Sequence, residues 1–367
     1  MQSKERIMNV LRGKEVDRVP VCPYVAYWWE HQTDEFTAQG ELGFLESVGS
    51  DPLFRGHWPM NGKDYEEMAL FRKEIADCEI KEVIEGNKKN ITYHTPIGDL
   101  TLGYLYTPVS DSWFLVDHPV AEEEDFLVLQ HIMKNTKLIP EYERFNKVYD
   151  ELGERGVLVP LVSPESKSSF QSLLEKWCGT ENLVYALMDF PEVVEDTLKI
   201  MYERSMEGAR ICAASRAEVF ETYEDTSTTN ISPQFYRDYI LPEINGWCEI
   251  LHASGKLYLQ HACGTLDQLL EDIAGSKIDA LESLTPAPMG DVKMERAAEV
   301  IPQHMAVIGG YGGIQFLEDT EDEVEEGGRR LLKIMKGKRF ILGNSDSCPP
   351  GVSVEKFRRL VKVAKEG

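Results

Sequence analysis

Short apolar runs alternate with longer amphipathic stretches over most of this chain, from about residue 120 onward. The runs have the length of strands, whereas the stretches between them, such as Pro191–Ala213 and Pro233–Ala253, have the length of helices. Continuous apolar strands separated by helices are typical of a parallel sheet that helices cover on its faces. The runs are Val157–Val162, Glu218–Tyr223, Lys256–Gln260, Ile278–Leu281, Met305–Ile308 and Arg339–Leu342.

Two further runs near the N-terminus, Val19–Val25 and Pro52–Arg55, bring the number of predicted strands to eight. Eight parallel strands favour an α/β fold of the (β/α)8 TIM-type barrel class over an open, doubly wound sheet. The open sheet stays an alternative, but no glycine fingerprint for a dinucleotide supports it. The segment Gly309–Gly313 lacks the required spacing and the acidic residue that follows, so it predicts a tight loop at a strand end.

The region of about 75–117 has a different pattern. Polar and apolar residues alternate there on both sides of Gly86-Asn87, and Pro96-Ile97-Gly98-Asp99 supplies a second turn. Alternation around tight turns is the signature of β-hairpins. The sequence therefore predicts one barrel domain over 1–367 with a β-hairpin insertion in its N-terminal third.

The composition of the chain limits the classes of partner, the cellular location and the use of its cysteines. The chain has 367 residues and a formal net charge of −24, which disfavours nucleic acids and anionic membranes as partners. It contains no apolar stretch of about 18 residues and no apolar signal core at its start, so we expect a cytoplasmic protein. Its seven cysteines are scattered and odd in number, which argues against a disulfide framework and leaves thiols available for a metal. The sequence allows a homodimer.

Titratable residues follow the apolar runs at several predicted strand ends, which is where barrel enzymes place their active sites. His261 and Cys263 are two residues apart and would point to the same side of a strand. Cys348 ends the last strand on the same rim. One imidazole and two thiolates suit Zn²⁺ with an open fourth position, although a structural histidine and inert cysteines are the alternative interpretation.

Several acidic and aromatic residues complete the predicted site. Glu282 ends the sixth strand and is a candidate fourth ligand or a catalytic carboxylate. Tyr223 and Glu224 are candidate catalytic residues, and Glu221 and Asp225 beside them either orient ligands or belong to a solvated loop. The tryptophans that follow the first two strands either line a pocket for a flat ligand or belong to the core or an interface; they are Trp28, Trp29 and Trp58.

The chain resembles the uroporphyrinogen decarboxylase superfamily in motifs spread over nearly its whole length. Each motif is weak alone, but their order and spacing are specific. The resemblance implies a distorted (β/α)8 barrel with a cleft at the C-terminal rim. The motifs are Asp17-Arg18-Val19-Pro20-Val21, Pro164, Gly179-Thr180-Glu181-Asn182-Leu183, Ser232-Pro233-Gln234-Phe235-Tyr236, His261-Ala262-Cys263-Gly264 and Gly343-Asn344-Ser345-Asp346.

Two branches of that superfamily compete. True decarboxylases carry an arginine-containing segment after the first strand, whereas Cys22–Trp29 here contains neither arginine nor lysine. In the corrinoid-dependent methyltransferases, such as methylcobamide:coenzyme M methyltransferases, the zinc motif is His-x-Cys with a distant Cys. His261, Cys263 and Cys348 match this motif, and Glu282 matches the acidic ligand of the family more loosely. The resemblance therefore implies an enzyme of the zinc-dependent methyltransferase type.

No Asp-x-His-x-x-Gly motif for cobalamin occurs in the chain, so the resemblance implies a separate corrinoid protein as partner. The methyl group would pass from that corrinoid to a small thiol, or from a small donor such as an O-methyl ether to the corrinoid. The alternatives are a decarboxylase-like lyase and a non-catalytic barrel that binds a tetrapyrrole or corrinoid. The sequence does not name the donor, the acceptor or the direction of transfer.

Overall fold

The computed structural model describes the whole chain, Met1–Gly367, as two compact units. The first unit comprises Met1–Leu70, Glu141–Val162 and Arg210–Gly367, and the second comprises Phe71–Pro140 and Ser163–Ala209. None of its helices is both long enough and apolar enough to cross a lipid bilayer.

Thirteen strands and sixteen α-helices make up the two units. The strands are β1 (Leu53–Arg55), β2 (Phe71–Ile75), β3 (Glu79–Glu85), β4 (Lys88–Thr95), β5 (Gly98–Thr107), β6 (Ser112–Asp117), β7 (Thr136–Pro140), β8 (Val157–Val159), β9 (Val219–Tyr223), β10 (Leu257–His261), β11 (Ala280–Leu284), β12 (Ala306–Gly312) and β13 (Phe340–Ser345). The helices are α1 (Ser3–Leu11), α2 (Ala26–Glu30), α3 (Asp34–Thr37), α4 (Gly40–Val48), α5 (Glu123–Asn135), α6 (Glu143–Leu152), α7 (Ser169–Ser172), α8 (Gly179–Asp189), α9 (Pro191–Ala213), α10 (Pro233–Phe235), α11 (Leu241–His252), α12 (Leu270–Ala274), α13 (Met294–Val300), α14 (Gly313–Glu318), α15 (Glu321–Ile334) and α16 (Val354–Glu366).

The strands of the first unit form a ring of parallel neighbours. Strands β9 to β13 make a five-stranded parallel sheet in chain order, and β1 pairs in parallel with β8. A parallel bridge between Leu161 and Glu221 joins the β8 segment to β9. Val21 closes the other side, because it bridges to Leu342 of β13 and its carbonyl accepts a hydrogen bond from the Asp51 amide at 2.7 Å. The prediction of a (β/α)8 barrel with eight strands is confirmed.

Buried apolar side chains from alternate strand positions fill the lower part of this barrel. Successive residues of a strand point to opposite faces, so every second residue points into the barrel. Four side chains of α1 belong to the same cluster: Ile7, Met8, Val10 and Leu11. The strand residues of the cluster are Cys22, Leu53, Val157, Val159, Val219, Leu259, Ala280, Ala306, Ile308 and Ile341.

A buried carboxylate holds the seam of the barrel, which is the join between the Val21 segment and the Asp51 segment before β1. Asp51 is fully buried, and its Oδ2 accepts the Val21 amide hydrogen at 2.9 Å. Its Oδ1 lies 2.5 Å from Nη1 of Arg6, and its Oδ2 lies 2.8 Å from Nη1 of Arg18. Arg18 belongs to the Asp17-Arg18-Val19-Pro20 motif, so this motif has a structural purpose at the seam.

The second unit contains the predicted β-hairpin insertion as a four-stranded antiparallel sheet in the order β3-β4-β5-β6. Strands β2 and β7 pair separately and antiparallel. Helix α5 packs against β4 and β5, where Leu100 and Leu102 are buried. The compact unit extends beyond the predicted segment of about 75–117, because the apolar face of the sheet needs helices to cover it.

The tryptophans after the first strand lie in the core, so the alternative interpretation as pocket walls does not describe this structure. Trp28 stacks on Phe44 with ring centroids 4.8 Å apart, and its indole N–H donates to the Val352 carbonyl at 2.9 Å. Trp29 donates to the Gly62 carbonyl at 2.7 Å. Both side chains are almost completely buried, and Trp58 is 7% exposed.

Gly56 follows β1 in a left-handed conformation (φ 65°), and a Cβ atom there would lie 1.9 Å from the Tyr223 hydroxyl. We expect Gly56→Ala to lower the free energy of unfolding by about 2–4 kcal/mol, since both backbone strain and collision contribute. Gly86→Ala is the matched control, because Gly86 has φ 63° and nothing within 4 Å of the added atom. Urea denaturation of both variants measures the difference; equal losses would mean that the collision contributes nothing.

Candidate metal centre

Polar groups replace the apolar core at the C-terminal ends of the barrel strands. On four strands the last inward-facing apolar residue is followed, two positions later, by an inward-facing polar residue. The apolar residues are Leu53, Val219, Leu259 and Ala280. These polar residues lie at the same height in the barrel, because His261 pairs in register with Tyr223 of β9 and with Glu282 of β11. The polar inward residues are Arg55, Glu221, Tyr223, His261 and Glu282.

Glu282 links a buried cation to the predicted metal-ligating histidine. Its Oε1 accepts a hydrogen bond from Arg55 Nη1 at 2.7 Å, and its Oε2 bonds His261 Nδ1. Burial alone would raise the pKa of Glu282, but His261 and Arg55 lower that pKa below its ordinary value. Each carboxylate oxygen therefore has a hydrogen-bond partner, and the contact with Nδ1 orients the His261 ring. The predicted role of Glu282 as a metal ligand stays a prediction.

Asp225, His261 and Cys263 bring an oxygen, a nitrogen and a sulfur donor together, all within 4.8 Å of one another. The Cys263 thiol donates to Asp225 Oδ1 at 3.2 Å, and His261 Nε2 lies 3.9 Å from the same oxygen. Burial first raises the pKa of Cys263 to about 11, although His261 lowers it in part. The structure thus brings the predicted pair His261 and Cys263 together and adds Asp225.

The donor set fits a divalent metal of zinc type. Zinc takes sulfur, nitrogen and carboxylate oxygen at about 2.0–2.3 Å, so neighbouring donors of a tetrahedral site lie roughly 3.2–3.8 Å apart. The two measured separations involving Asp225 Oδ1 bracket that range. Three protein donors leave the fourth position of a tetrahedron without a ligand from this group.

Cys348 lies outside this group. Strand β13 ends at Ser345, and Asp346 then adopts a left-handed conformation (φ 63°) that turns the chain. The amide of Cys348 donates to the Tyr24 carbonyl at 2.8 Å, and its fully buried sulfur lies 3.7 Å from the Pro349 carbonyl oxygen. Asp346 instead interacts electrostatically with His261, Glu282 and Asp225.

Three tyrosines line the same end of the barrel. Tyr223 donates from its hydroxyl to the Arg55 carbonyl at 3.0 Å, and its oxygen lies 2.9 Å from the Tyr65 hydroxyl. The rings of Tyr223 and Tyr24 lie 5.9 and 6.5 Å from the His261 ring, and the Arg55 guanidinium lies over Tyr24 at 4.7 Å. Burial raises the pKa of Tyr223 well above its ordinary value, so the hydroxyl keeps its proton.

The Glu224 side chain points away from the interior of the barrel. It is one residue beyond Tyr223 and therefore faces outward, where its charge acts on Tyr236 and Tyr258. The side chain is fully buried on that outer side of β9. The structure therefore places the predicted candidates Tyr223 and Glu282 in the site and Glu224 outside it.

Glu221 is a buried carboxyl group without a hydrogen-bond partner on either oxygen. Burial raises its pKa to about 8, and the charge of Glu282 adds to the effect, while Arg55 and His261 oppose it. The sequence patterns single out neither Arg55 nor Asp346 as a site residue, and they leave the role of Glu221 and Asp225 open. Arg55 and Glu221 could have been found from the strand pattern, because each lies two residues after an inward-facing apolar residue and therefore also faces inward.

Of two solved structures compared with this chain, the first supports the fold. A methyltransferase from Methanosarcina mazei superposes with a TM-score of 0.63 over 100% of this chain and 99% of its own, at 15% sequence identity. A putative vitamin-B12 independent methionine synthase from Listeria monocytogenes gives a TM-score of 0.39 over 61% of this chain and 68% of its own, also at 15% identity. No match was found among curated protein sequences.

The family is defined by the sequence match. The model of the uroporphyrinogen decarboxylase family (URO-D) matches residues 115–367, which include β9 to β13 and every residue of the donor group. The superfamily predicted from the short motifs is thereby confirmed. The barrel with polar groups at its C-terminal strand ends and the match over most of the chain lead to one conclusion: this chain belongs to the uroporphyrinogen decarboxylase family.

Proposed function

We propose that this chain is a zinc-dependent methyltransferase that moves a methyl group between a corrinoid, carried by a separate protein, and a small molecule. The observation that carries the proposal is the donor group of Asp225, His261 and Cys263 at the C-terminal end of the barrel. The superposition with a methyltransferase over the whole chain agrees with it in fold.

The charges of the site argue against decarboxylation of a polycarboxylate. Arg55 is the one lysine or arginine among the inward-facing residues, and its guanidinium is already paired with Glu282 at 2.7 Å. The segment after the first strand, Cys22–Trp29, contains no basic residue. A substrate with several carboxylates would lack cationic partners there and would meet carboxylates of the protein instead.

The roles of the side chains follow from their contacts. Glu282 accepts the Nδ1 hydrogen of His261 and thereby directs the Nε2 lone pair toward Asp225 and Cys263. His261 and Arg55 together hold Glu282 in its ionised form. A zinc ion bound there would polarise the heteroatom of the substrate and lower the pKa of a thiol. The Tyr223 hydroxyl donates to the Arg55 carbonyl and the Tyr65 hydroxyl donates to the Tyr223 oxygen, so the Tyr65 oxygen is left to accept a hydrogen bond from a polar substrate atom.

The proposal also needs a partner, because the chain carries no cobalamin motif of the Asp-x-His-x-x-Gly type. The net charge of −24 would favour a partner with a basic docking face and a fast, salt-sensitive association. The open C-terminal end of the barrel is where methyl-carrying cobalt has to reach the substrate.

Metal content and methyl transfer test the proposal together. We expect about one zinc per chain in the purified protein, loss of that zinc in Cys263→Ser, and a loss of methyl transfer to or from a corrinoid of at least about 100-fold. Cys78→Ser is the matched control, since Cys78 lies in the second unit and should leave both readouts unchanged. A fully active, metal-free Cys263→Ser variant would falsify the zinc mechanism.

The same assay decides the predicted role of Cys348. On the geometry of this structure, Cys348→Ser should keep the metal, because its sulfur lies outside the donor group. Loss of zinc in this variant would show that the thiol turns inward when metal binds, as the family resemblance implies. Elemental analysis next to circular dichroism separates loss of metal from loss of folding.

A further inference from the structure

The polar end of the barrel carries more negative than positive groups. Glu282, Asp225 and Asp346 act electrostatically on His261 or on one another, and Arg55 is the single opposing guanidinium. Glu221 adds a fourth carboxyl group, which burial keeps largely protonated at neutral pH. One divalent ion at the donor group adds two positive charges but also requires the Cys263 thiolate. The site therefore keeps a negative potential when metal is bound.

The environment of Glu221 indicates which kind of ligand the site would bind. Its carboxyl group is fully buried, and neither oxygen has a hydrogen-bond partner. It is aimed at the site, because it shares the inward register of β9 with Val219 and Tyr223, and the Tyr223 ring lies 5.9 Å from the His261 ring. An unpartnered buried carboxyl is costly unless a charge or a donor compensates it.

The aromatic lining points in the same direction. The rings of Tyr24, Tyr65 and Tyr223 surround His261 and His57 at centroid distances between 5.6 and 6.5 Å. Tyrosine rings attract cations through their faces, as the Arg55 guanidinium over Tyr24 shows, and their neutral hydroxyls give an anion no charge to pair with. Tyr65 is also partly exposed, so this lining reaches the solvent.

We propose that the small-molecule substrate of this site carries a positively charged group, of the ammonium class, next to the heteroatom that exchanges the methyl group. The inference rests on the proposed function and narrows its substrate class. An anionic thiol would be repelled by the carboxylates of Glu282, Asp225 and Asp346, and a neutral ether or thiol would bind with intermediate affinity. A cationic group near Glu221 also offsets the cost of burying this carboxylate in its ionised form.

Three two-carbon thiols that differ in charge test the inference. Cysteamine is cationic, 2-mercaptoethanol is neutral and 2-mercaptoethanesulfonate is anionic. The protein is loaded with Co²⁺ in place of zinc, and the thiolate-to-cobalt absorption band reports binding of each thiol. We expect cysteamine to bind about tenfold more tightly than 2-mercaptoethanol, and the sulfonate about tenfold more weakly, with both ratios shrinking as salt is added.

Charge-neutralising variants separate the site from the intrinsic chemistry of the thiols. In Glu221→Gln and Asp346→Asn, the preference for cysteamine over 2-mercaptoethanol should fall about threefold, whereas it should persist in Asp150→Asn, whose carboxylate is exposed and paired with Arg216. Equal affinity for the cationic and anionic thiols, or an unchanged preference in both site variants, would overturn the inference alone. Failure to bind cobalt would overturn the proposed function and this inference together.

Discussion

Replacing Arg55 by methionine is expected to lower the free energy of unfolding by about 3–5 kcal/mol. Arg55 and Glu282 are both almost completely buried and are paired at 2.7 Å, so the variant leaves a carboxylate inside the barrel with His261 as its remaining partner. The removed guanidinium also donates to the Cys22 carbonyl at 3.2 Å, which adds an unpaired acceptor. Urea denaturation measures the loss.

Two comparisons make this prediction specific. The double variant Arg55→Met with Glu282→Gln should regain part of the stability, because it removes the unpaired charge as well as its partner. Arg216→Met breaks an ion pair with Asp150 in which both side chains are about half exposed or more, so we expect almost no change. A double variant as unstable as Arg55→Met would show that the ion pair is not the source of the loss.

Asp51→Asn is expected to cost about 2–4 kcal/mol, since it removes the charge that holds two arginines at the seam of the barrel. The amide can still accept a hydrogen bond from Val21 but cannot neutralise Arg6 and Arg18, of which Arg6 is almost completely buried. The first strand is a single bridge at Val21, so the seam has few other backbone bonds to hold it. Thermal or urea denaturation gives the loss.

Asp17→Asn provides the control for this second prediction. Asp17 also pairs with Arg6, at 2.7 Å, but its side chain is 42% exposed, and water can replace the lost contact. We therefore expect a clearly smaller loss than in Asp51→Asn. Similar losses in the two variants would mean that the position of Asp51 at the seam is unimportant.

The barrel is predictable from the sequence because burial imposes a recognisable pattern on the strands. Parallel strands covered by helices have to be apolar along their whole length, and eight such runs can be counted along the chain. All eight predicted strands occur in the ring, although the strand at Val21 is reduced to one bridge. The second unit is harder to delimit, since its helices are ordinary amphipathic helices that nothing in the sequence assigns to one unit or the other.

The site is predictable where it depends on local geometry. His261 and Cys263 converge because residues two apart on an extended chain share a side, and the same rule places Glu224 opposite to Tyr223. The outward orientation of Glu224 could have been predicted, because the inward register of β9 begins at Val219 and includes Glu221 and Tyr223.

The sequence by itself determined the class of fold and the pair His261 and Cys263, because these follow from periodicity and short spacing, and the resemblance of its motifs identified the family. The tertiary structure alone decided that Asp225 completes the donor group and that Cys348 lies outside it. It also paired Arg55 with Glu282, 227 residues later in the chain. Loop torsions, such as the left-handed Asp346, and the closure of the barrel set these contacts, and neither leaves a periodic trace in the sequence.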